Sequence, residues 1–301
     1  MQLVNTQQAL REQIDQWRKA GQSIGFVPTM GYLHAGHGSL IEQAKKQNDR
    51  VVVSVFVNPT QFGPTEDLST YPRDLEADTA LIASLGGDLL FHPDVTEMYP
   101  HYPDTGVTTV SVSGLGEHLC GAKRPGHFDG VCLVVTKLLN MVQPHRAYFG
   151  EKDYQQLAVI RHMVADLDLP VDIIGCPIMR EPSGLALSSR NSYLTPEQKE
   201  EAAHIYGSLR FAQNVITNMG ESDPKMLAFA IESVLERIPD AKIDYIQIVC
   251  PKTLTPVDKI EGQVLIALAV YVGKTRLIDN MLVEGSGQHR PHFAFDELII
   301  V

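Results

Sequence analysis

The feature that most restricts the fold is a run of seven residues, Val51-Val52-Val53-Ser54-Val55-Phe56-Val57. It is rich in β-branched side chains and does not alternate between apolar and polar. A strand with one face in water alternates with period two. An unbroken run belongs to a strand buried on both faces, as in a parallel sheet covered by helices on either side.

The segments around this run have the spacing such a sheet needs. Residues 6–20 read as an amphipathic helix, with Leu10, Ile14 and Trp17 on one face and Gly21 as the stop. A short strand is expected at 23–27, a helix at 38–46, a helix at 75–85 and a strand at 88–91. Residues 131–141 are apolar around most of the helical surface and read as a buried helix. A strand at 147–149, an amphipathic helix at 154–167 and a strand at 171–174 continue the pattern. Strands alternating with helices imply βαβ units and a doubly wound α/β domain.

The character of the chain changes after residue 177. Thr195-Pro196-Glu197-Gln198 is a capping box with proline at the first helical position. Ala202, Ile205, Leu209, Ala212 and Ile216 then keep helical spacing. A second helix starts at Asp223-Pro224, with Leu227, Ile231, Val234 and Ile238 on one face. Strands at 242–249, 264–272 and 276–282 complete a smaller α+β unit. The expected division is 1–178, 179–284 and a tail, 285–301, that reads as a connector with a docked terminal strand.

Composition sets outer limits. The chain is 44% hydrophobic and 20% charged, which is ordinary for a globular protein. A formal net charge of -11 disfavours non-specific binding to nucleic acid or to an anionic membrane. The cysteines, Cys120, Cys132, Cys176 and Cys250, form no C-x-x-C pair and read as reduced thiols. The first residues lack a basic segment followed by an apolar one, and the longest apolar run, 264–272, is too short to span a bilayer. A cytoplasmic location is expected.

Chemistry concentrates in a few turns. Pro28-Thr29-Met30-Gly31-Tyr32-Leu33-His34-Ala35-Gly36-His37-Gly38-Ser39-Leu40 lies between a strand and a helix. In an open parallel sheet, ligands bind at the carboxyl ends of strands, beside helix N-termini. Glycine lets the backbone approach a ligand, and the helix start offers free N–H groups to phosphate. His34 and His37 can aim ring N–H donors at one phosphate chain, and the helix N-terminus should keep their pKa from rising. Either histidine alone is more simply a cap or a surface residue; the whole H-x-G-H pattern after a strand and turn favours the phosphate reading.

Gly150-Glu151-Lys152-Asp153-Tyr154-Gln155-Gln156 repeats the arrangement after another short strand. Lys152 can meet phosphate oxygens as a point charge. Asp153 can cap the helix or accept from a ribose hydroxyl, and Gln156 can bind a carboxylate or hydroxyl. Leu187-Ser188-Ser189-Arg190 reads as an anion clamp, with Arg190 offering bidentate contacts, or otherwise as a polar linker. Asn58-Pro59-Thr60-Gln61-Phe62-Gly63, directly after the buried strand, suits a small polar organic substrate, with Gln61 as the binding residue; a plain turn is the alternative. Lys123-Arg124-Pro125-Gly126-His127-Phe128 adds a basic cluster that alone would be a solvated loop.

With these residues in view, the chain resembles the pantothenate synthetase (pantoate–β-alanine ligase) family of the nucleotidyltransferase superfamily. The likeness covers about 27–280. It rests on P-T-M-G-x-L-H-x-G-H-x-S-L, F-V-N-P-x-Q-F, Y-P-R at 71–73, R-P-G-H-F at 124–128, G-E-K-D-Y-Q-Q, L-A-L-S-S-R-N at 185–191 and R-L-I-D-N at 276–280. The resemblance implies a Rossmann-like sheet domain with a smaller mobile domain and a homodimer. It also implies ATP and Mg²⁺, with pantoate and β-alanine as small-molecule substrates and no nucleic-acid or membrane partner. Pantoate would be activated as an adenylate and then joined to β-alanine, releasing pyrophosphate and AMP. By the same resemblance, Met30, His34, Gly36, His37, Gly150, Lys152, Asp153, Leu187, Ser188, Ser189 and Arg190 are ATP contacts. His34, His37, Lys152 and Arg190 carry the catalytic load. Met30, Gln61 and Gln156 form the pantoate site; Asn58, Tyr71, Arg124 and His127 are further substrate contacts; and Asp78 lies near the metal. Thr60 departs from the family pattern, which favours methionine there.

Overall fold

The computed structural model describes residues 1–64, 66–103 and 108–285. The terminal strand expected at 298–301 lies outside these residues. The described chain forms two compact units, one comprising 1–179 with 187–189 and the other 180–186 with 190 onward.

The first unit is built on six strands, β1 Gln2–Val4, β2 Ile24–Thr29, β3 Arg50–Val55, β4 Leu89–Phe91, β5 Arg146–Gly150 and β6 Asp172–Cys176. Every pairing is parallel, in the order β1-β4-β3-β2-β5-β6. The helices are α1 Gln7–Lys19, α2 Ala35–Gln47, α3 Leu75–Ser84, α4 Val95–Met98, α5 Leu119–Lys123, α6 His127–Val142 and α7 Tyr154–Asp166. From β2 the chain winds outward through α2 and β3 to β4. It then resumes on the other side of β2 with β5, α7 and β6. Right-handed crossovers running in opposite directions put α2 and α7 on opposite faces.

This accounts for the run at 51–57. Val51, Val53 and Val55 pack with Leu40, Ile41, Ala44 and Ile82 on the α2–α3 face. Val52, pointing to the other face, is also fully buried. Several boundaries move from their expected places; α6, expected from 131, starts at His127. Helix α2 starts at Ala35 rather than Gly38 because His34 caps it, and β2 extends through Thr29. The edge strand β1 and the short helices α4 and α5 carry too few residues to show a period.

The second unit packs α8 Pro196–Met219 and α9 Pro224–Leu235 on an antiparallel sheet of β7 Ala241–Val249, β8 Gln263–Val272 and β9 Thr275–Glu284. The expected capping box is present: the Gln198 amide donates to Thr195 Oγ1 at 3.2 Å, and the Thr195 amide to Gln198 Oε1 at 3.1 Å. On α9, Leu235 occupies the core position assigned to Val234. Arg180 forks onto Asp279 through Nη1 at 2.5 Å and Nη2 at 2.9 Å, which ties the 180–186 hairpin to β9. All four cysteines are free thiols. Among the described residues, no helix is long and apolar enough to cross a membrane.

Candidate active site

Strands β2 and β5 are neighbours in the sheet but the chain leaves them in opposite directions. That is the topological switch point, where the two crossovers diverge and leave a crevice at the strand carboxyl ends. The turns after these two strands carry the H-x-G-H and G-E-K-D segments.

The first turn is firmly braced. Gly31 has φ +84° and Tyr32 φ +52°, so the backbone reverses sharply after β2. The carboxylate of Asp78, 2% exposed, accepts the Tyr32 amide at 2.8 Å and the Leu33 amide at 2.6 Å. Burial raises the Asp78 pKa, and those two amides pull the other way. Asp78 thus braces the loop through both carboxylate oxygens. Among the described residues, no group of three or more His, Cys, Asp or Glu side chains is disposed to hold a metal ion.

The two histidines cap α2 reciprocally. His34 Nδ1 accepts the Gly36 amide at 3.1 Å, and His37 Nδ1 accepts the His34 amide at 3.4 Å. A backbone N–H can only donate, so each neutral ring carries its proton on Nε2. The rings lie 4.2 Å apart between centroids, and a Cβ on Gly36 would come within 2.8 Å of His34 Cε1. Burial lowers the His34 pKa to about 4, helped by Lys152. Burial, then His34, then Lys152 lower His37 to about 3. Both rings are therefore neutral Nε2–H donors at pH 7, chiefly through burial rather than the helix terminus alone.

Because β2 and β5 pair in parallel, the turn after β5 lies beside the turn after β2, and the Lys152 charge helps lower the pKa of both imidazoles. Gly150 ends β5, and a 3-10 turn at Glu151–Asp153 leads into α7. Asp153 occupies the N-cap of α7 but makes no side-chain cap hydrogen bond. Its half-exposed carboxylate lies 3.7 Å from the Lys152 ammonium. Leu187 Cβ is 3.7 Å from where a Cβ on Gly36 would stand, and Ser189 Oγ donates to the Tyr32 carbonyl at 3.3 Å. Leu187, Ser188 and Ser189 belong to the first unit, and Arg190 to the second.

The β3 turn supplies the remaining wall. Gln61 donates from Nε2 to the Met30 sulfur at 3.1 Å, which joins two of the residues expected to bind pantoate. Gln156 lies half-buried near the start of α7. Its neighbour Gln155, passed over in the sequence, holds the α7 start to 115–120 by accepting from the Cys120 amide and donating to the Leu115 and His118 carbonyls.

Four residues expected to touch substrate are engaged internally. Asn58, 1% exposed, donates to Gln61 Oε1 and the Gly130 carbonyl and accepts from Tyr99 and Thr60. Tyr71 is buried, edge-on to Phe62. Arg124 forks onto Glu66, with Nε to Oε1 and Nη2 to Oε2 both at 2.6 Å. His127 Nδ1 meets the Gln61 carbonyl at 2.8 Å, and burial, then Arg124, lower its pKa to about 4. Gly130 for Asn58, Glu66 for Arg124 and Gln61 for His127 are too distant in sequence to be read locally.

A parallel sheet with neutral imidazole donors and a lysine meeting at its switch point defines an α/β enzyme of the nucleotide-handling kind. A family model described as pantoate-beta-alanine ligase matches residues 2–282. The pantothenate synthetase of Thermotoga petrophila is 52% identical over 283 residues, covering 94% of this chain and all of that one. That of Clostridium botulinum is 53% identical over 280 residues, covering 93% and 98%. The crystal structure from Thermus thermophilus superposes with a TM-score of 0.87 at 48% identity, covering 93% and 99%. The Francisella tularensis pantoate-beta-alanine ligase, solved in complex with beta-gamma ATP and beta-alanine, gives a TM-score of 0.77 at 41% identity, covering 94% and 97%. The chain belongs to the pantoate-beta-alanine ligase family.

Proposed function

We propose that the chain performs its ATP-dependent condensation of pantoate with β-alanine through a pantoyl-adenylate. The observation that supports this reading is the parallel pairing of β2 and β5, which sets the turn carrying His34 and His37, both capping α2, beside the turn carrying Lys152.

A triphosphate lying over the α2 N-terminus meets two Nε2–H donors and the Lys152 ammonium. Ser188, Ser189 and Arg190 are assigned to the same phosphates, Met30, Gly36, Gly150 and Leu187 to the nucleotide, and Asp153 to a ribose hydroxyl. Pantoate sits on Met30, Gln61 and Gln156. Its carboxylate oxygen bonds to the α-phosphorus while the bond to pyrophosphate breaks. Donors already aimed at the phosphate oxygens stabilise the charge that builds there. The β-alanine amine then attacks the acyl carbon, loses a proton, and AMP departs. Neutral histidines suit this arrangement, because each ring can accept a capping amide on Nδ1 while still offering Nε2–H to a phosphate oxygen.

A divalent ion such as Mg²⁺ would supply further charge neutralisation on the phosphates. Among the described residues no group of three or more His, Cys, Asp or Glu side chains is disposed to cage it, and the ion is assigned to the nucleotide phosphates. A homodimer in the cytoplasm completes the reading.

The test is exchange of labelled pyrophosphate into ATP without β-alanine. The adenylate route requires pantoate-dependent exchange, with AMP released only once β-alanine is added. Pyrophosphate and AMP appearing only together, with no exchange, would refute it.

A further inference from the structure

Glu66 lies on the loop after β3, outside the residues assigned to substrates. Its carboxylate is fully used: Oε1 and Oε2 accept the Arg124 fork at 2.6 Å each, and Oε2 also accepts the Gly63 amide at 3.2 Å. The ion pair is largely shielded, with side chains 18% and 24% exposed, unlike the solvated pairs on this surface.

The pair is the head of a directed chain. Arg124 has only donors, so Nη1, 3.0 Å from His127 Nε2, donates to it. The Gln61 carbonyl can only accept, so His127 carries its proton on Nδ1 and donates across 2.8 Å. Arg124 Nη2 reaches the same carbonyl at 3.5 Å. Each link has one polarity, and the chain ends on the residue whose side chain touches Met30 and Asn58. Without Glu66, a partly buried guanidinium loses its counter-charge and no longer has a reason to keep its fork in this plane. His127 then loses the donor to its Nε2 that holds the ring in place, and the backbone anchor of Gln61 loosens.

We propose that Glu66 is a positioning residue for pantoate, acting through Arg124 and His127 to hold Gln61. The inference rests on the assignment of Gln61 to pantoate. A plain loop anchor would alter stability or all substrates alike; a positioning chain acts on one substrate.

The experiment measures pantoate-dependent pyrophosphate exchange in the full chain for Glu66→Ala, Glu66→Gln, Arg124→Ala and the Glu66→Ala/Arg124→Ala double variant. Glu66→Ala should raise the KM for pantoate about tenfold, the scale of one lost charge-assisted link, with the KM for ATP within about twofold. Glu66→Gln, which keeps one acceptor oxygen, should raise it less. In the Arg124→Ala background, Glu66→Ala should add nothing, because the chain is already cut. An unchanged pantoate KM, equal rises for both substrates, or additive effects in the double variant would overturn the proposal. Loss of exchange in the unmodified protein would instead overturn the adenylate reading, and this inference with it.

Discussion

Replacing Asp78 separates bracing from metal binding. Its two oxygens hold the Tyr32 and Leu33 amides at 2.8 and 2.6 Å, in a place 2% exposed. Hydrogen bonds to a charged group are each worth about 1.5–3 kcal/mol, so losing both removes roughly 3–6 kcal/mol of gross interaction. Burying the carboxylate costs part of that, as its raised pKa shows. Asp78→Ala should therefore cost a net of about 2–4 kcal/mol. At about 2–4 °C per kcal/mol for a unit of this size, the melting temperature should fall by roughly 4–16 °C. Asp78→Asn should fall in between, since one carboxamide oxygen serves one amide while its NH₂ faces the other. The assay is calorimetry of each variant beside a Mg²⁺ titration of activity. The KM for ATP should rise as the histidine turn loosens, and the Mg²⁺ needed for half-maximal rate should stay unchanged. An unaltered melting temperature with a tenfold higher Mg²⁺ requirement would refute the bracing argument and restore the metal role.

Four further outcomes follow from the described geometry. His34 and His37, lowered to about 4 and about 3, should leave kcat/KM free of a histidine limb near pH 6.5, with any acid limb from them near pH 4. A limb centred at 6.5 would contradict the buried neutral donors. Because both folded pKa values lie below the unfolded one, their contribution to stability is complete above about pH 6.5 and is lost as pH falls toward the folded values. Urea midpoints measured from pH 7 to 4 should decline accordingly. Gln61→Ala should weaken pantoate more than ATP in equilibrium titrations; equal losses would remove Gln61 from the pantoate site. Gly130→Ala would bring a Cβ within 2.4 Å of the Thr60 carbonyl, which is backbone. It should disturb the 58–61 turn and raise the pantoate KM more than about fivefold, since overpacking of this kind costs about 1–3 kcal/mol. An unchanged KM would show that α6 can shift away.

Much of the sheet domain was legible because its signals are local. The run at 51–57 has no alternation, and the βα turns lie directly after short strands. The position of α2 was obscured by its cap: histidine at the N-cap, with a second histidine closing the box, is outside the usual Ser, Thr, Asp or Asn signature. The direction of the histidine pKa shifts could be anticipated from the helix terminus, but their main cause, burial, needs the fold. Asn58, Tyr71, Arg124 and His127 carry the right chemistry for substrate contacts. Gly130, a partner of Asn58, and the Gln61 carbonyl, the partner of His127, become neighbours only when α6 lies against the β3 turn, and Glu66 meets Arg124 across 58 residues. Glu66 gave no local signal, since a glutamate in a polar loop is ordinarily solvated. The bracing role of Asp78 has no local signal either, since the backbone amides it accepts are 45 and 46 residues away.

The central claim is that the turns after β2 and β5 grip one triphosphate. Calorimetric titration of a non-hydrolysable ATP analogue into the unmodified chain, His37→Ala, Lys152→Ala and the double variant tests it most directly. Each single change should weaken binding about tenfold or more, and the double change should fall short of the product of the two, because both groups act on a shared phosphate chain. Analogue binding to Lys152→Ala as tight as to the unmodified chain would contradict the account.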